Sequence, residues 1–352
     1  MRVVVMGAGG YVGSRLVPAL LAEGHDVVAT FTDVTSASRF WWAERVEPVQ
    51  MQVLDRGSVR KAAAGAEALY YLIHGLAGED FATADREGAY NAAHAAVRAG
   101  AQRIVYLGGL VPAVHDSELS PHLRSRLEVE GILTDSGVPT SALRAAMVVG
   151  SGSTSFEILR QLSERMPLQA LPTWMGSIVE PVAVSDVVTA LLGALRAPDR
   201  SCVYDLGSGD RLPYAALLRL YARVAGLQRV QVRVPMLPTR LVSRLAPTLT
   251  GAPASTVQTL VESLRHDMVC GSQEFLVDLM PTGHAMLPVA EAMDRALALP
   301  GEEVPDRDRD ILGPLSSDAG WAGGQVSRRD GRAVHHHRGS WQDLLLGPPP
   351  VG

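Results

Sequence analysis

The chain has 352 residues, enough for a full α/β domain with a smaller lobe and a tail, and its 47% hydrophobic content is typical of a globular protein. Its formal net charge of −5 gives no reason to expect a nucleic-acid partner. The two cysteines, Cys202 and Cys270, are far apart in the sequence, which excludes a disulfide framework and a cysteine-rich metal site.

The first 150 residues alternate predicted strands with predicted helices, an order typical of a parallel sheet covered on both faces. Hydrophobic runs predict strands over residues 2–6, 26–31, 48–54, 68–73, 103–107 and 140–149. Helical periodicity and capping residues predict helices over 11–23, after Asp55, over 80–99 and over 120–135. We therefore predict an α/β fold in which residues 1–150 form a Rossmann-type doubly wound parallel sheet.

The pattern is less regular after residue 150. Helices are predicted over 154–165, 185–196, 213–225 and 254–265, with one strand over 202–206. We interpret residues 151–299 as a smaller C-terminal lobe that carries a substrate site. From about residue 300, repeated aspartate and arginine, many glycines and a proline-rich end predict a disordered tail over 300–352.

A glycine-rich turn lies between the first predicted strand and the first predicted helix. The first glycine of such a turn allows the chain to reverse, the second lets the backbone approach a pyrophosphate, and the third allows close helix–strand packing. The N-terminus of the following helix adds unpaired N–H groups that bind anions. The spacing here predicts a site for the pyrophosphate of NAD or NADP, formed by Gly7, Gly9, Gly10, Tyr11, Val12 and Gly13.

The end of the second predicted strand bears on the choice of dinucleotide. Thr32 and Asp33 stand there, and a carboxylate in this place binds the ribose 2′-hydroxyl of NAD. Alternatively, Asp33 only caps the loop, and Ser36, Ser38 and Arg39 form a pocket for the 2′-phosphate of NADP. The sequence excludes neither NAD nor NADP as the bound cofactor, and it slightly favours NAD.

The chain resembles the atypical short-chain dehydrogenase/reductase superfamily over about residues 1–295. Within it the chain is most similar to the NmrA-like NAD(P)-binding proteins, close to bacterial relatives of the mitochondrial complex I 39-kDa-type subunit. The resemblance is carried by the glycine turn and by three stretches, Arg103-Ile104-Val105-Tyr106-Leu107-Gly108-Gly109, Ser120-Pro121-His122-Leu123-Arg124-Ser125-Arg126 and Leu143-Arg144-Ala145-Ala146-Met147-Val148-Val149-Gly150.

This resemblance implies further contacts. Gln52 and Val53 match the place where relatives contact adenine, and Ile73, His74 and Gly75 match the loop that lines the adenosine ribose and pyrophosphate. Ser153, Thr154 and Phe156 match the mouth of the substrate site, although the same segment would also serve as a simple helix cap.

Active members of the superfamily resemble one another in a Tyr-x-x-x-Lys pair and a nearby serine. This chain has a single lysine, Lys61, with glycine four residues before it, so it cannot supply the pair. His122 and Arg126 stand at the matching place, four residues apart and thus on one helix face, and Gly108 and Gly109 replace the serine.

His122 and Arg126 are the candidate catalytic residues. The histidine would act as an acid or base, and the arginine would hold the nicotinamide ribose or an anionic substrate. The alternative is a surface or capping histidine beside a solvated arginine.

Two functions follow from these residues. The first is an NAD(P)-dependent oxidoreductase or epimerase-like isomerase that acts on an unknown small molecule. The second is a non-catalytic NAD(P)-binding redox sensor or assembly subunit with a protein partner. No predicted segment is long enough to span a bilayer or to form a signal peptide, and we expect a cytoplasmic protein without a metal site.

Overall fold

The computed structural model describes residues 1–74, 81–234, 246–263, 265–299, 303–329 and 332–336. Its centre is a parallel sheet of seven strands, which confirms the predicted Rossmann-type α/β fold. From one edge to the other the strands are β11 (Cys202–Leu206), β6 (Thr140–Ala145), β5 (Arg103–Gly109), β4 (Ala68–Tyr71), β1 (Arg2–Met6), β2 (Asp26–Phe31) and β3 (Glu47–Gln50).

Alternate residues of β1 enter two different cores, as expected of a strand covered on both faces. Val3 and Val5 belong to one hydrophobic core and Val4 and Met6 to the other, and all four are fully buried. The helices of this half of the chain are α1 (Tyr11–Ala22), α2 (Arg56–Ala62), α3 (Phe81–Ala99) and α4 (Pro121–Thr134). The sheet is therefore a rigid platform whose strand ends can hold a ligand.

The predicted strand over 140–149 is two strands in different sheets. β6 stays in the central sheet, whereas β7 (Met147–Val149) pairs with β10 (Pro181–Ala183). The predicted strand over 48–54 is also shorter and ends at Gln50, because Asp55 caps α2 and the residues before it form a turn.

After β7 the helices are α5 (Thr154–Arg165), α6 (Val184–Gly193), α7 (Tyr214–Val224), α8 (Ala254–Ser263), α9 (Phe275–Asp278) and α10 (Val289–Ala296). The short strands β8 (Leu168–Pro172) and β13 (Val230–Val234) pair in parallel, β9 (Ile178–Val179) pairs with β12 (Leu212–Pro213), and β14 (Val326–Arg329) pairs with β15 (Arg332–His335). Among the described helices, none combines the length and the apolar character that crossing a bilayer requires.

Residues 303–329 depart from the predicted disorder of the 300–352 tail. Leu312 and Val326 are buried in the main hydrophobic core. The Arg15 guanidinium on α1, which is 2% exposed, forms an ion pair with Asp318 at 2.9 Å and donates to the carbonyl oxygens of Ile311 and Gly313. In residues 303–329, buried partners elsewhere in the chain hold a segment whose composition is typical of disorder.

A polar face of α5 holds the next part of the same segment. The Glu157 carboxylate accepts a hydrogen bond from the backbone N–H of Gly323 at 2.8 Å. The Gln161 side-chain amide donates to the carbonyl oxygens of Trp321 and Gly323, and Arg160 donates to that of Val326. These α5 side chains are buried, so the C-terminal segment completes their hydrogen bonding.

The ion pair between Arg15 and Asp318 gives a testable prediction. Arg15→Met removes the cation paired with the Asp318 carboxylate and the donor to the carbonyl oxygens of Ser151 and Gly313, and we expect a loss of about 3 kcal/mol in the free energy of unfolding. Urea unfolding measures it, with Arg307→Met at an exposed position as the control. A loss equal to that of the control would show that the C-terminal segment is not anchored through Arg15.

Candidate functional site

The predicted glycine turn connects β1 to α1. Gly7 has a φ of +92°, a conformation that favours glycine. Its N–H donates to the Thr30 hydroxyl at 3.4 Å, and its carbonyl oxygen accepts from the N–H of Gly10 at 3.0 Å. Gly10 is the N-cap of α1 and has no side chain that could cap the first turn of the helix. The first-turn N–H groups are therefore left for a ligand, as a pyrophosphate site requires.

The third glycine sets how closely α1 approaches β1. A Cβ atom at Gly13 would collide with the carbonyl oxygen of Gly7 and lie 2.9 Å from the Cα of Ala8. A Cβ atom at Gly10 would lie 3.2 Å from the same Gly7 oxygen. The turn thus has the three properties of a dinucleotide loop, and its residues fit an NAD(P) pyrophosphate.

Three predicted residues meet near the end of β2. Thr32, Asp33 and Gln52 are exposed, and the Gln52 side-chain amide donates to the Thr32 carbonyl oxygen at 3.3 Å. The Asp33 carboxylate accepts from the backbone N–H of Thr35 at 3.0 Å and from its hydroxyl at 2.8 Å. These hydrogen bonds from Thr35 lower the pKa of Asp33, so the carboxylate is ionised at neutral pH.

The other residues assigned by resemblance to the adenosine site are spread over two places. Val53 is half-buried beside α3, where its carbonyl oxygen accepts from the Asn91 side chain at 2.9 Å. Ile73 lies against the glycine turn, since a Cβ atom at Gly7 would be 3.4 Å from its Cγ1. His74 lines the cavity described next, whereas Gly75 lies outside the described residues.

A cavity of about 230 Å³ opens beside the glycine turn. It brings together part of the predicted loop with His74, His122 and Arg126, whereas Gly9, Thr32, Asp33, Gln52, Val53 and Ile73 do not line it. Its walls are Gly7, Gly10, Tyr11, Val12, Gly13, Leu72, His74, Leu107, Gly108, Gly109, His122, Leu123, Arg126, Ala145, Ala146, Val148, Ser153, Thr154, Ser155, Leu260 and Met268.

The start of α4 places His122 and Arg126 in this cavity. Pro121 occupies the first turn, and the Ser120 hydroxyl caps the helix by accepting from the N–H of Leu123 at 3.3 Å. Both His122 and Arg126 are only 8% exposed, so the histidine is not a surface residue and the arginine is not solvated. Burial and the nearby Arg126 charge lower the pKa of His122 to about 4. The imidazole is therefore neutral at pH 7.

The structure gives packing reasons for the two glycines, Gly108 and Gly109, that stand in place of the family serine. A Cβ atom at Gly108 would lie 2.8 Å from the Tyr106 ring. One at Gly109 would lie 3.6 Å from Leu123 and 4.0 Å from the Cγ of Arg126, in the space beside the arginine stem. The Tyr106 hydroxyl donates to the backbone carbonyl oxygen of Arg126 at 3.3 Å. Strand β5 therefore ends in a bare backbone surface under α4.

Several residues of the cavity wall come from the part of the sequence after residue 140. Of the mouth residues implied by resemblance, Ser153 and Thr154 line the cavity, but Phe156 is fully buried and packs against Tyr221 instead. Leu260 of α8 and Met268 are wall residues that sequence reasoning missed. No local signal marks either of them, because only the fold brings them to the glycine turn.

Residues 7–169 match a family model described as NAD(P)H-binding. The chain has an NAD(P)-binding domain. A curated relative from Streptomyces sp., 3-diazoavenalumate denitrifying reductase, is 29% identical, and the match covers 71% of this chain and 88% of the relative.

Solved structures give the same fold for this NAD(P)-binding protein. Triphenylmethane reductase of Citrobacter sp., complexed with NADP(H), aligns with a TM-score of 0.65 at 21% identity, covering 84% of this chain and 100% of that one. A nucleoside-diphosphate-sugar epimerase of Staphylococcus aureus aligns with a TM-score of 0.66 at 14% identity, covering 84% and 100%. At these identities they establish the fold alone. The predicted resemblance is thus confirmed as an NAD(P)-binding Rossmann-type domain whose structural neighbours are reductases and epimerases.

The close approach of Gly13 to the Gly7 carbonyl predicts the effect of adding one methyl group at Gly13. Gly13→Ala pushes α1 away from the Gly7 carbonyl, and we expect affinity for NADH and NADPH to fall at least about tenfold. Fluorescence titration measures it. The matched control is Gly131→Ala on α4, where a Cβ atom meets nothing within 4 Å. Wild-type affinity in the Gly13 variant would refute the assignment of the turn.

The neutral state of His122 predicts a pH effect on stability. Its pKa is about 4 in the folded protein against 6.5 in the unfolded chain, so the unfolded chain binds the extra proton as pH falls below 6.5. Because the unfolded chain binds this proton, the free energy of unfolding of the wild type falls by about 2 kcal/mol from pH 7.5 to pH 5. The His122→Gln variant should not show this fall.

Urea unfolding at the two pH values measures the difference. The control is His94→Gln at an exposed position of α3. We expect the pH dependence of its stability to lie within about 0.5 kcal/mol of that of the wild type. An equal pH dependence in the wild type and the His122 variant would show that the imidazole takes up its proton in the folded protein.

Proposed function

We propose that this protein is an NAD(P)H-dependent reductase of electron-poor, conjugated small molecules, and that its hydride step needs no tyrosine–lysine proton relay. The bound dinucleotide supplies the hydride from its nicotinamide ring. The observation that carries the proposal is a dinucleotide cavity whose walls include a buried arginine and a neutral histidine but contain no lysine.

The tyrosines near the cavity are not activated as acids. Tyr11 lines the cavity, but its hydroxyl is buried and burial raises its pKa. Burial also raises the pKa of Tyr106, whose hydroxyl donates to the backbone of Arg126. A lysine would lower a tyrosine pKa, but Lys61 is exposed on α2 and does not line the cavity. Neither phenol is therefore suited to protonating a substrate oxygen.

The histidine is a poor proton donor for a related reason. With a pKa of about 4, the His122 imidazole is almost entirely unprotonated at pH 7. Reduction of a simple carbonyl needs a proton on the developing alkoxide. A cationic or strongly conjugated acceptor takes up a hydride without that proton, because the added electron pair neutralises or delocalises over the acceptor. The site fits the second class of substrate.

The comparisons support this class. The curated relative is named as a reductase of a diazo compound, and a structural neighbour is named triphenylmethane reductase. A triphenylmethane dye cation and an aryl diazo compound of the diazonium type are both conjugated and electron-poor. We extend to this chain the class of acceptor, not the individual compounds.

Three finer assignments belong to the same proposal. The small-molecule partner is the acceptor itself, and reduction needs no protein partner. The cellular location that we assign to the protein is the cytoplasm, in keeping with the free thiols of Cys202 and Cys270. Asp33 at the end of β2 favours NAD slightly, because an ionised carboxylate there suits a ribose hydroxyl better than a phosphate.

Decolourisation of a triphenylmethane dye by NADH or NADPH tests the proposal. We expect turnover by the wild type, and turnover within about threefold of it by Tyr11→Phe and Tyr106→Phe, since neither phenol transfers a proton. Gly13→Ala is the variant expected to lose turnover with cofactor binding.

Failure of the wild type to oxidise NADH or NADPH with triphenylmethane dyes and with aryl diazo compounds would refute the proposal. So would a loss of about a hundredfold or more in kcat in either phenylalanine variant at unchanged cofactor affinity, because that result assigns the proton to a phenol.

A further inference from the structure

We infer that Arg126 is the binding site for a carboxylate of the acceptor molecule, so that the substrate class is a planar conjugated acid. This inference rests on the proposed function and names the substrate class of the same cavity. Its starting point is an arginine that is buried in the cavity wall and has no carboxylate beside it in the described part of the chain.

Arg126 differs from the other deeply buried arginines. Within the described ranges, Arg15, Arg103 and Arg160 are 2%, 4% and 6% exposed, and each has a carboxylate in ion-pair distance. Arg126, at 8% exposed, has no such carboxylate among the described residues, and its buried Nε atom has no hydrogen-bond partner there. Because a guanidinium keeps its charge at every physiological pH, a buried one calls for an anion.

Among the residues that the structure describes, the surroundings of Arg126 do not supply that anion. One turn earlier on α4 stands His122, which is neutral, and His74 lines the same cavity. The phenol of Tyr106 keeps its proton. The buried Asp85 carboxylate accepts from the hydroxyl of Ser125 at 2.9 Å, and Asp85 is not a wall residue. The described part of the wall around Arg126 is therefore positive.

The position of Arg126 favours the acceptor over the dinucleotide as the source of the anion. The pyrophosphate belongs at the N-terminus of α1, whereas Arg126 lies on α4. Arg126 lies beside the bare end of β5, where Gly109 leaves space along its stem. Leu260 and Met268, which come from the second half of the chain, complete an apolar wall. A carboxylate on Arg126 would place a flat conjugated body against this wall.

Calorimetric titration of the NADPH-saturated protein tests the inference, with cinnamate and its uncharged match cinnamamide as probes. We expect the wild type to bind cinnamate at least about tenfold more tightly than cinnamamide. In Arg126→Gln the preference should fall to about twofold or less, while affinities for cinnamamide and NADPH stay within about twofold of wild type. Arg126→Lys should keep part of the preference, because it keeps the charge.

The control is Arg124→Gln at an exposed position of the same helix, which should keep the full preference. Equal binding of acid and amide by the wild type, or no binding of either, would overturn the inference. A weaker affinity for NADPH in Arg126→Gln at an unchanged preference would also overturn it, because the arginine would then hold the dinucleotide. Acid preference without dye reduction would retain the anion site and count against the reductase assignment alone.

Discussion

The close contact between α1 and β1 at Gly7 and Gly13 determines where everything else in the site lies. Without a side chain at Gly13, the first turn of α1 rests on the Gly7 carbonyl, and no side chain caps its first N–H groups. The same helix carries Tyr11 into the cavity wall and Arg15 into the core. One backbone approach thus fixes the pyrophosphate site, one wall of the cavity and the anchor of the C-terminal segment.

The C-terminal segment gives the second half of the chain a structural connection to the cofactor turn. Asp318 pairs with Arg15, which lies one helical turn after Tyr11 on α1. The Glu157 carboxylate of α5 accepts hydrogen bonds from the backbone N–H groups of both Gly152 and Gly323. Buried charges of this kind need full partners, and here some of the partners come from residues about 160 to 300 positions away. Removal of the segment would expose those charges beside the dinucleotide site.

Sequence reasoning predicted those features that depend on local pattern. The order of strands and helices, the glycine turn and the pairing of His122 with Arg126 on one helix face all follow from spacing. The features that it missed depend on distant partners. Composition suggested a disordered tail, yet Arg15 and Glu157 hold residues 303–329, and neither marks its partner in the sequence. Leu260 and Met268 enter the cavity, and Ala146 separates two strands, only because of the three-dimensional packing.

The chemistry of the cavity follows from its electrostatics more than from the fold, which is shared by reductases and epimerases. Burial keeps the phenols of Tyr11 and Tyr106 protonated and the His122 imidazole neutral, so none of these three groups is suited to protonating a substrate.

The most direct test is a single-turnover reduction of a triphenylmethane dye with NADPH deuterated at the transferring position, in H2O and in D2O. We expect a primary isotope effect of about 2 or more from the labelled NADPH and a solvent isotope effect near 1. A solvent isotope effect of about 2 or more on the same step would contradict it, because a proton would then move with the hydride.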